Sequence, residues 1–135
     1  MNYILDTNII SSILKGNQEL KKNIEKVLLD GKEVLIHSIC YYEIKRGLLA
    51  ADAISQLKRF EDFVNKFKIL FLDNRAVFDD ASKIYATLKR KGKPIEDADI
   101  LIAASCKQHG CVIVTDNIKH FERIKDIKFE NWLAE

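Results

Sequence analysis

Several things are scarce in this sequence, and each scarcity excludes something. One proline and five glycines in 135 residues leave no linker, low-complexity tract or internal repeat. Three cysteines are an odd number in apolar surroundings, which predicts free thiols in a reducing cytoplasm and not a disulfide framework. No apolar run approaches the ~20 residues needed to span a membrane. Asp6 and Asn8 interrupt the N-terminal apolar stretch and no basic segment precedes it, so it does not read as a signal peptide. There is almost no surplus of charge: 22 basic against 20 acidic residues give a formal net charge of +2. A polyanion partner must therefore be held by a local patch and not by an overall basic field.

What is present suits one domain over residues 1–135, with 47% hydrophobic residues to build its core. Short apolar strands are predicted at 2–5, 34–36, 69–72, 112–114 and 127–129. Between them, helical periodicity runs over 9–14, 18–30, 39–50, 53–67, 75–91 and 97–109. Thr7 or Asn8, Ser38, and Asp73 or Asn74 are the expected helix caps. Strands alternating with helices predict an α/β fold with a parallel sheet covered on both faces. Two consecutive helices before the third strand depart from simple alternation.

The chemistry gathers at strand ends. Ile4-Leu5-Asp6-Thr7-Asn8 and Ile113-Val114-Thr115-Asp116-Asn117 both close an apolar strand on an Asp flanked by Thr and Asn. A lone Asp after a strand is ordinarily the cap of the next helix. A matched pair on neighbouring strands instead faces one crevice beyond the sheet's carboxyl edge, where open parallel sheets bind ligands. Glu43 starts from the same edge, in the helix after the second strand; the plain alternative is a solvated pair with Arg46. Asp99 stands in the first turn of the most apolar helix, where an acid also suits the helix dipole. Asp97, two residues away, lies on a different helical face, so only one of the two points directly into a site. Carboxylates crowded together repel one another, and a divalent cation relieves that. An all-oxygen donor set selects Mg²⁺ or Mn²⁺, and such a site assists in-line displacement at phosphorus.

In this order, Asp6-Thr7-Asn8, Tyr42-Glu43-Ile44-Lys45-Arg46-Gly47, Ile95 to Ala104 around Asp99, and Val114-Thr115-Asp116-Asn117 resemble the PIN-domain ribonucleases, and more narrowly the VapC toxins of toxin–antitoxin pairs. The segments 117–124 and 129–132 share that likeness, which covers essentially the whole chain. The resemblance implies a parallel five-stranded sheet and a Mg²⁺- or Mn²⁺-dependent endoribonuclease. It implies Asp6, Glu43 and Asp99 as the principal catalytic and metal-binding acids, with Asp116 as the fourth. Asn8, Thr115, Asn117 and Asp97 take supporting roles. The implied substrate is a structured RNA such as a tRNA or rRNA loop. The implied partners are a VapB-type antitoxin and a second copy of the chain, with contacts around residues 39–67.

Lys89, Arg90, Lys91 and Lys93, just before the acidic helix, are candidate RNA or antitoxin contacts, as is Arg46; a helix C-terminus accounts for the first group equally well. Cys106, His109 and Cys111 lack an obvious fourth zinc ligand. His37 and His120 have no nameable partner in the sequence, and Phe129 and Trp132 read as packing. A haloacid-dehalogenase-like phosphatase wants a second Asp where Asn8 stands, and a receiver-like domain wants an acidic pair near the first strand. A PIN domain that binds RNA without efficient cutting is the remaining rival.

Overall fold

The computed structural model describes residues 1–133. Five strands, β1 (Asn2–Leu5), β2 (Val34–His37), β3 (Lys68–Leu70), β4 (Cys111–Val114) and β5 (Lys128–Glu130), form one parallel sheet in the order β3-β2-β1-β4-β5. Helices α1 (Thr7–Leu14) and α2 (Gln18–Leu29) join β1 to β2. Helices α3 (Ser38–Ala50) and α4 (Ile54–Val64) join β2 to β3, and α5 (Arg75–Arg90) and α6 (Asp97–His109) join β3 to β4. The short α7 (Ile118–Phe121) precedes β5.

The chain winds outward from β1 to β2 and β3, then returns to the other side of β1 at β4. That reversal leaves a crevice beyond the carboxyl ends of β1 and β4, the ligand-binding position of open α/β sheets. In register, Leu5 pairs with Val114, and the Asp6 amide donates to the Val114 carbonyl at 2.9 Å. The two matched strand ends therefore lie side by side.

The middle strands supply the core because both of their faces are covered: Ile4, Leu5, Ile36, Ile113 and Val114 are fully enclosed. Helix α6 is apolar nearly all round for the same reason. Ile102, Ala103 and Cys106 join the sheet-side core, while Ile100 and Ala104 meet Val77 and Ala81 of α5 in a second cluster. A helix held on two sides has little freedom to rotate, and this fixes the direction of Asp99 in its first turn. Gly110 ends α6 with φ +65° and returns the chain directly into β4. Nothing crowds a Cβ at that position, so Gly110→Ala pays only for the left-handed backbone. We expect a loss of about 1 kcal/mol, read as a fall of a few degrees in Tm.

Several element ends differ from the sequence expectation. Asp6, not Thr7 or Asn8, is the N-cap of α1. His37, not Ser38, caps α3, its Nδ1 accepting from the Ile39 amide at 3.1 Å. A neutral imidazole nitrogen serves as acceptor there in place of a hydroxyl. Helix α4 stops at Val64, because Asn65 to Phe67 close turns back onto its last carbonyls. Strand β3 is shifted to 68–70, where it pairs with β2. Of the two candidates before α5, Asn74 is the cap, accepting from Val77 N. Trp132 packs its ring 5.4 Å from that of Tyr3. No helix among the described residues is long and apolar enough to cross a membrane.

Candidate active site

Asp6 sits where β1 passes into α1, and only 5% of its surface is exposed. Its Oδ1 accepts from the Thr7 amide at 2.9 Å, the capping bond. Its Oδ2 accepts from the Thr115 hydroxyl at 2.7 Å. The Thr115 oxygen in turn accepts from the Asn117 amide at 2.9 Å, so the single hydroxyl proton is directed at Asp6. Capping and site-building are thus done by one carboxylate at once. Burial pushes the Asp6 carboxyl above its ordinary value; the bonds from Thr115 and Thr7 pull it down, and the charges of Asp99 and Glu43 push it up further.

Glu43 lies in the second turn of α3, half-buried, with Oε1 accepting from the Thr7 hydroxyl at 3.1 Å. Thr7 therefore links two acids, its amide on Asp6 and its hydroxyl on Glu43. Asp99 is 9% exposed, and its Oδ2 meets His120 Nδ1 at 2.7 Å and Asn117 Nδ2 at 3.4 Å. Asp116, at the rim and exposed, accepts from the Asn8 side-chain amide. Asp97 is exposed on the solvent side of the same helical turn. The Cys40 thiol lies 3.9 Å from Asp6 Oδ1 on the closed side of the crevice, and burial pushes that thiol far up, leaving it uncharged.

One polar chain thus runs from Glu43 through Thr7, Asp6, Thr115 and Asn117 to Asp99, with His120 at its end and the Asn8–Asp116 pair beside it. The structure brings Asp6, Glu43 and Asp99 within electrostatic reach of one another, and gives each acid a hydrogen-bond partner. Among the described residues, no three Asp, Glu, His or Cys side chains are gathered closely enough to form a ready-made metal cluster. The acids line an open crevice instead. Repelling carboxylates of all-oxygen character in a water-accessible cleft suit a hard divalent cation that keeps part of its hydration shell.

His120 was not visible as a site residue from sequence. Its signal is the spacing to Asn117, three residues earlier, which puts both side chains on one face of α7 towards Asp99. Of the basic candidates, Arg46 is exposed with its guanidinium carbon 4.9 Å from the Tyr42 ring centre, and Lys89 stacks over Tyr85 at 5.7 Å. Arg90, Lys91 and Lys93 are exposed at the end of α5 and on the turn into α6. Cys106 and Cys111 are buried, and burial raises both thiols.

A doubly covered parallel sheet with an acid-lined crevice at its switch point defines the class of protein. Residues 3–127 match the PIN domain family. The tRNA(fMet)-specific endonuclease VapC of Salmonella typhimurium is 32% identical over 133 residues, covering 98% of each chain. Ribonuclease VapC1 of Haemophilus influenzae strain R2866 is 29% identical over 133 residues with the same coverage. Among solved structures, VapBC-1 from nontypeable Haemophilus influenzae superposes with a TM-score of 0.88 at 27% identity, covering 99% of this chain and all of that one. DNA-bound VapBC from Salmonella typhimurium gives a TM-score of 0.86 at 28% identity, covering 98% of each. The chain belongs to the PIN-domain family, in its VapC group of ribonucleases.

Proposed function

We propose that this chain is a divalent-metal-dependent endoribonuclease acting as the toxin of a VapBC-type toxin–antitoxin pair in the cytoplasm. The observation that carries the reading is Asp6. A carboxylate 5% exposed, facing two further acids, carries a repulsion that a bound divalent cation would balance. Asp6, Glu43, Asp99 and Asp116 are the residues that would hold Mg²⁺ or Mn²⁺. When bound, the metal supplies a water of lowered pKa and neutralises charge developing on the scissile phosphate.

The chain's own residues do the rest. Thr7 and Thr115 fix the orientation of Asp6 and, through Thr7, of Glu43. Asn117 and His120 hold Asp99, and Asn8 holds Asp116. Such bonds set which oxygen faces the metal, and their loss in metal sites typically costs 10–100-fold in affinity or activity. Arg46, Lys89, Arg90, Lys91 and Lys93 hold RNA phosphates or an antitoxin's carboxylates at the rim. The substrate class is a structured RNA, a tRNA or an rRNA loop; the Salmonella relative is named for a tRNA. Its partners are a VapB-type antitoxin and a second copy of the chain; the similar solved structures are VapBC complexes.

Incubating the purified chain with total RNA and Mg²⁺ or Mn²⁺ is expected to give discrete fragments that vanish with EDTA. Cleavage indifferent to chelator would sink the metal assignment, and no cleavage with either metal would favour a PIN domain that only binds. Thr115→Val removes the donor to Asp6 Oδ2 and the acceptor for Asn117 N without changing side-chain shape. It should cut the cleavage rate about 10–100-fold and cost roughly 1–3 kcal/mol of stability. Parallel rate and thermal-melt measurements check both.

A further inference from the structure

Two grooves adjoin on the face formed by α5, α6 and the segment that follows α7. One is lined by Lys91, Lys93, Lys119, Glu122, Arg123 and Leu88. The other shares Arg123 and Leu88 with it and continues past Lys83, Lys107 and Lys125. Together they carry seven cations against three acids, Asp80, Glu122 and Asp126. That local excess of four exceeds the net charge of +2 carried by the entire chain. Balanced composition elsewhere therefore hides a strongly basic stripe.

The stripe has a direction. Lys119, which lines the first groove, directly precedes His120, which contacts Asp99, so this groove begins one residue from the acid network. Lys107 is in the last turn of α6, whose first turn carries Asp99, so the second groove ends near the opposite edge of the sheet. Arg123 pins the junction by donating to the Pro94 carbonyl at 3.3 Å. From Lys91 back to Asp80 the groove follows α5 for about 16 Å at 1.5 Å per residue, the span of about five stacked nucleotides at 3.4 Å each. Spaced cations along a line suit a repeating polyanion. The apolar lining offers little to anchor a folded partner, since Leu88 and Ile124 are buried.

We propose that this stripe is a track for the sugar-phosphate backbone of the RNA leaving the active site, extending the contact surface well beyond the cluster at residues 89–93. The inference rests on the endoribonuclease reading. It adds that affinity depends on cations remote from the acids, and that substrates must be long enough to reach them.

The test compares the wild-type chain with a Lys83→Gln, Lys107→Gln, Lys125→Gln triple variant. None of these residues touches the acid network. Binding of a 20-nucleotide single-stranded RNA is titrated in EDTA across a series of salt concentrations. The slope of log affinity against log salt should fall in magnitude by about 2 for three lost phosphate contacts. Affinity at low salt should fall at least tenfold while the melting temperature stays within a few degrees. An unchanged slope and affinity overturns the track, as does displacement of the RNA by a polyglutamate peptide of equal charge at equal concentration, which would mark a site for an acidic protein. Metal-dependent cleavage of total RNA by the same wild-type preparation keeps the two readings apart. Cleavage with an unchanged slope sinks the track alone; its absence, with no RNA binding, sinks both.

Discussion

Asp6→Asn is expected to abolish RNA cleavage, by about a thousandfold or more, while leaving the melting temperature unchanged or higher. The two halves have separate causes. Asn keeps the capping geometry, because its Oδ1 still accepts from the Thr7 amide and Asn is as good an N-cap as Asp. It also removes a buried charge that Asp99 and Glu43 repel. The Asp6 carboxyl is held above its unfolded value, so its ionised form opposes folding. That penalty sets in as pH rises above the unfolded value and grows until the folded carboxyl is itself ionised, and the neutral amide relieves it. For activity, a central metal ligand accounts for several kcal/mol of transition-state stabilisation, and each 1.36 kcal/mol is a factor of ten in rate. Rate measurements beside thermal melts decide the matter. A variant that loses activity only by unfolding would show that Asp6 is a cap and nothing more.

The second large effect is a loss of stability in acid traceable to His37. This side chain is fully buried. Its Nδ1 accepts from the Ile39 amide, so its proton lies on Nε2 and points at the Ser105 hydroxyl 2.8 Å away; that hydroxyl donates onward to the Leu101 carbonyl. Every polar atom is used, and only by the neutral ring. Burial, with a smaller push from His109, lowers the His37 pKa from 6.5 to about 4. The folded state thus refuses a proton that the unfolded chain accepts. The stability this preserves is complete above pH 6.5 and is lost as pH falls from there towards 4. At 1.36 kcal/mol per unit the loss is roughly 3 kcal/mol. His37→Asn keeps the α3 cap but cannot titrate. Denaturant unfolding at pH 7 and pH 4 should show the wild type losing roughly 3 kcal/mol more than the variant between the two; equal losses would place the acid sensitivity elsewhere.

Much of this site is legible in the sequence because it follows chain geometry. Two strands ending on Asp beside Thr and Asn become neighbours in an α/β sheet, and their polar ends then share one crevice. The face of α6 that carries Asp99, and not Asp97, follows from a helix buried on two sides. What escapes is whatever depends on contacts between distant segments. His37 caps its own helix through an atom whose availability depends on burial, and Ser105, its partner, lies 68 residues away. His120 is marked only by its spacing to Asn117, and its meeting with Asp99 requires α7 to fold under the first turn of α6. Thr7 reaches Glu43 only because α1 and α3 leave the same sheet edge. The basic stripe is legible in part, at residues 89–93, where it is contiguous in sequence. Its remaining cations come from three other segments that tertiary packing alone aligns.

The central claim is that these acids are a metal site, and Mn²⁺ binding tests it without any substrate. Titrating the chain with Mn²⁺ and following free ion by electron paramagnetic resonance should show saturable binding by the wild type. Asp6→Asn and Asp99→Asn should weaken it about 100-fold or more, while the exposed Asp97→Asn should change it little. Wild-type protein that binds no Mn²⁺, or variants at Asp6 and Asp99 that bind it as tightly as the wild type, would contradict the account.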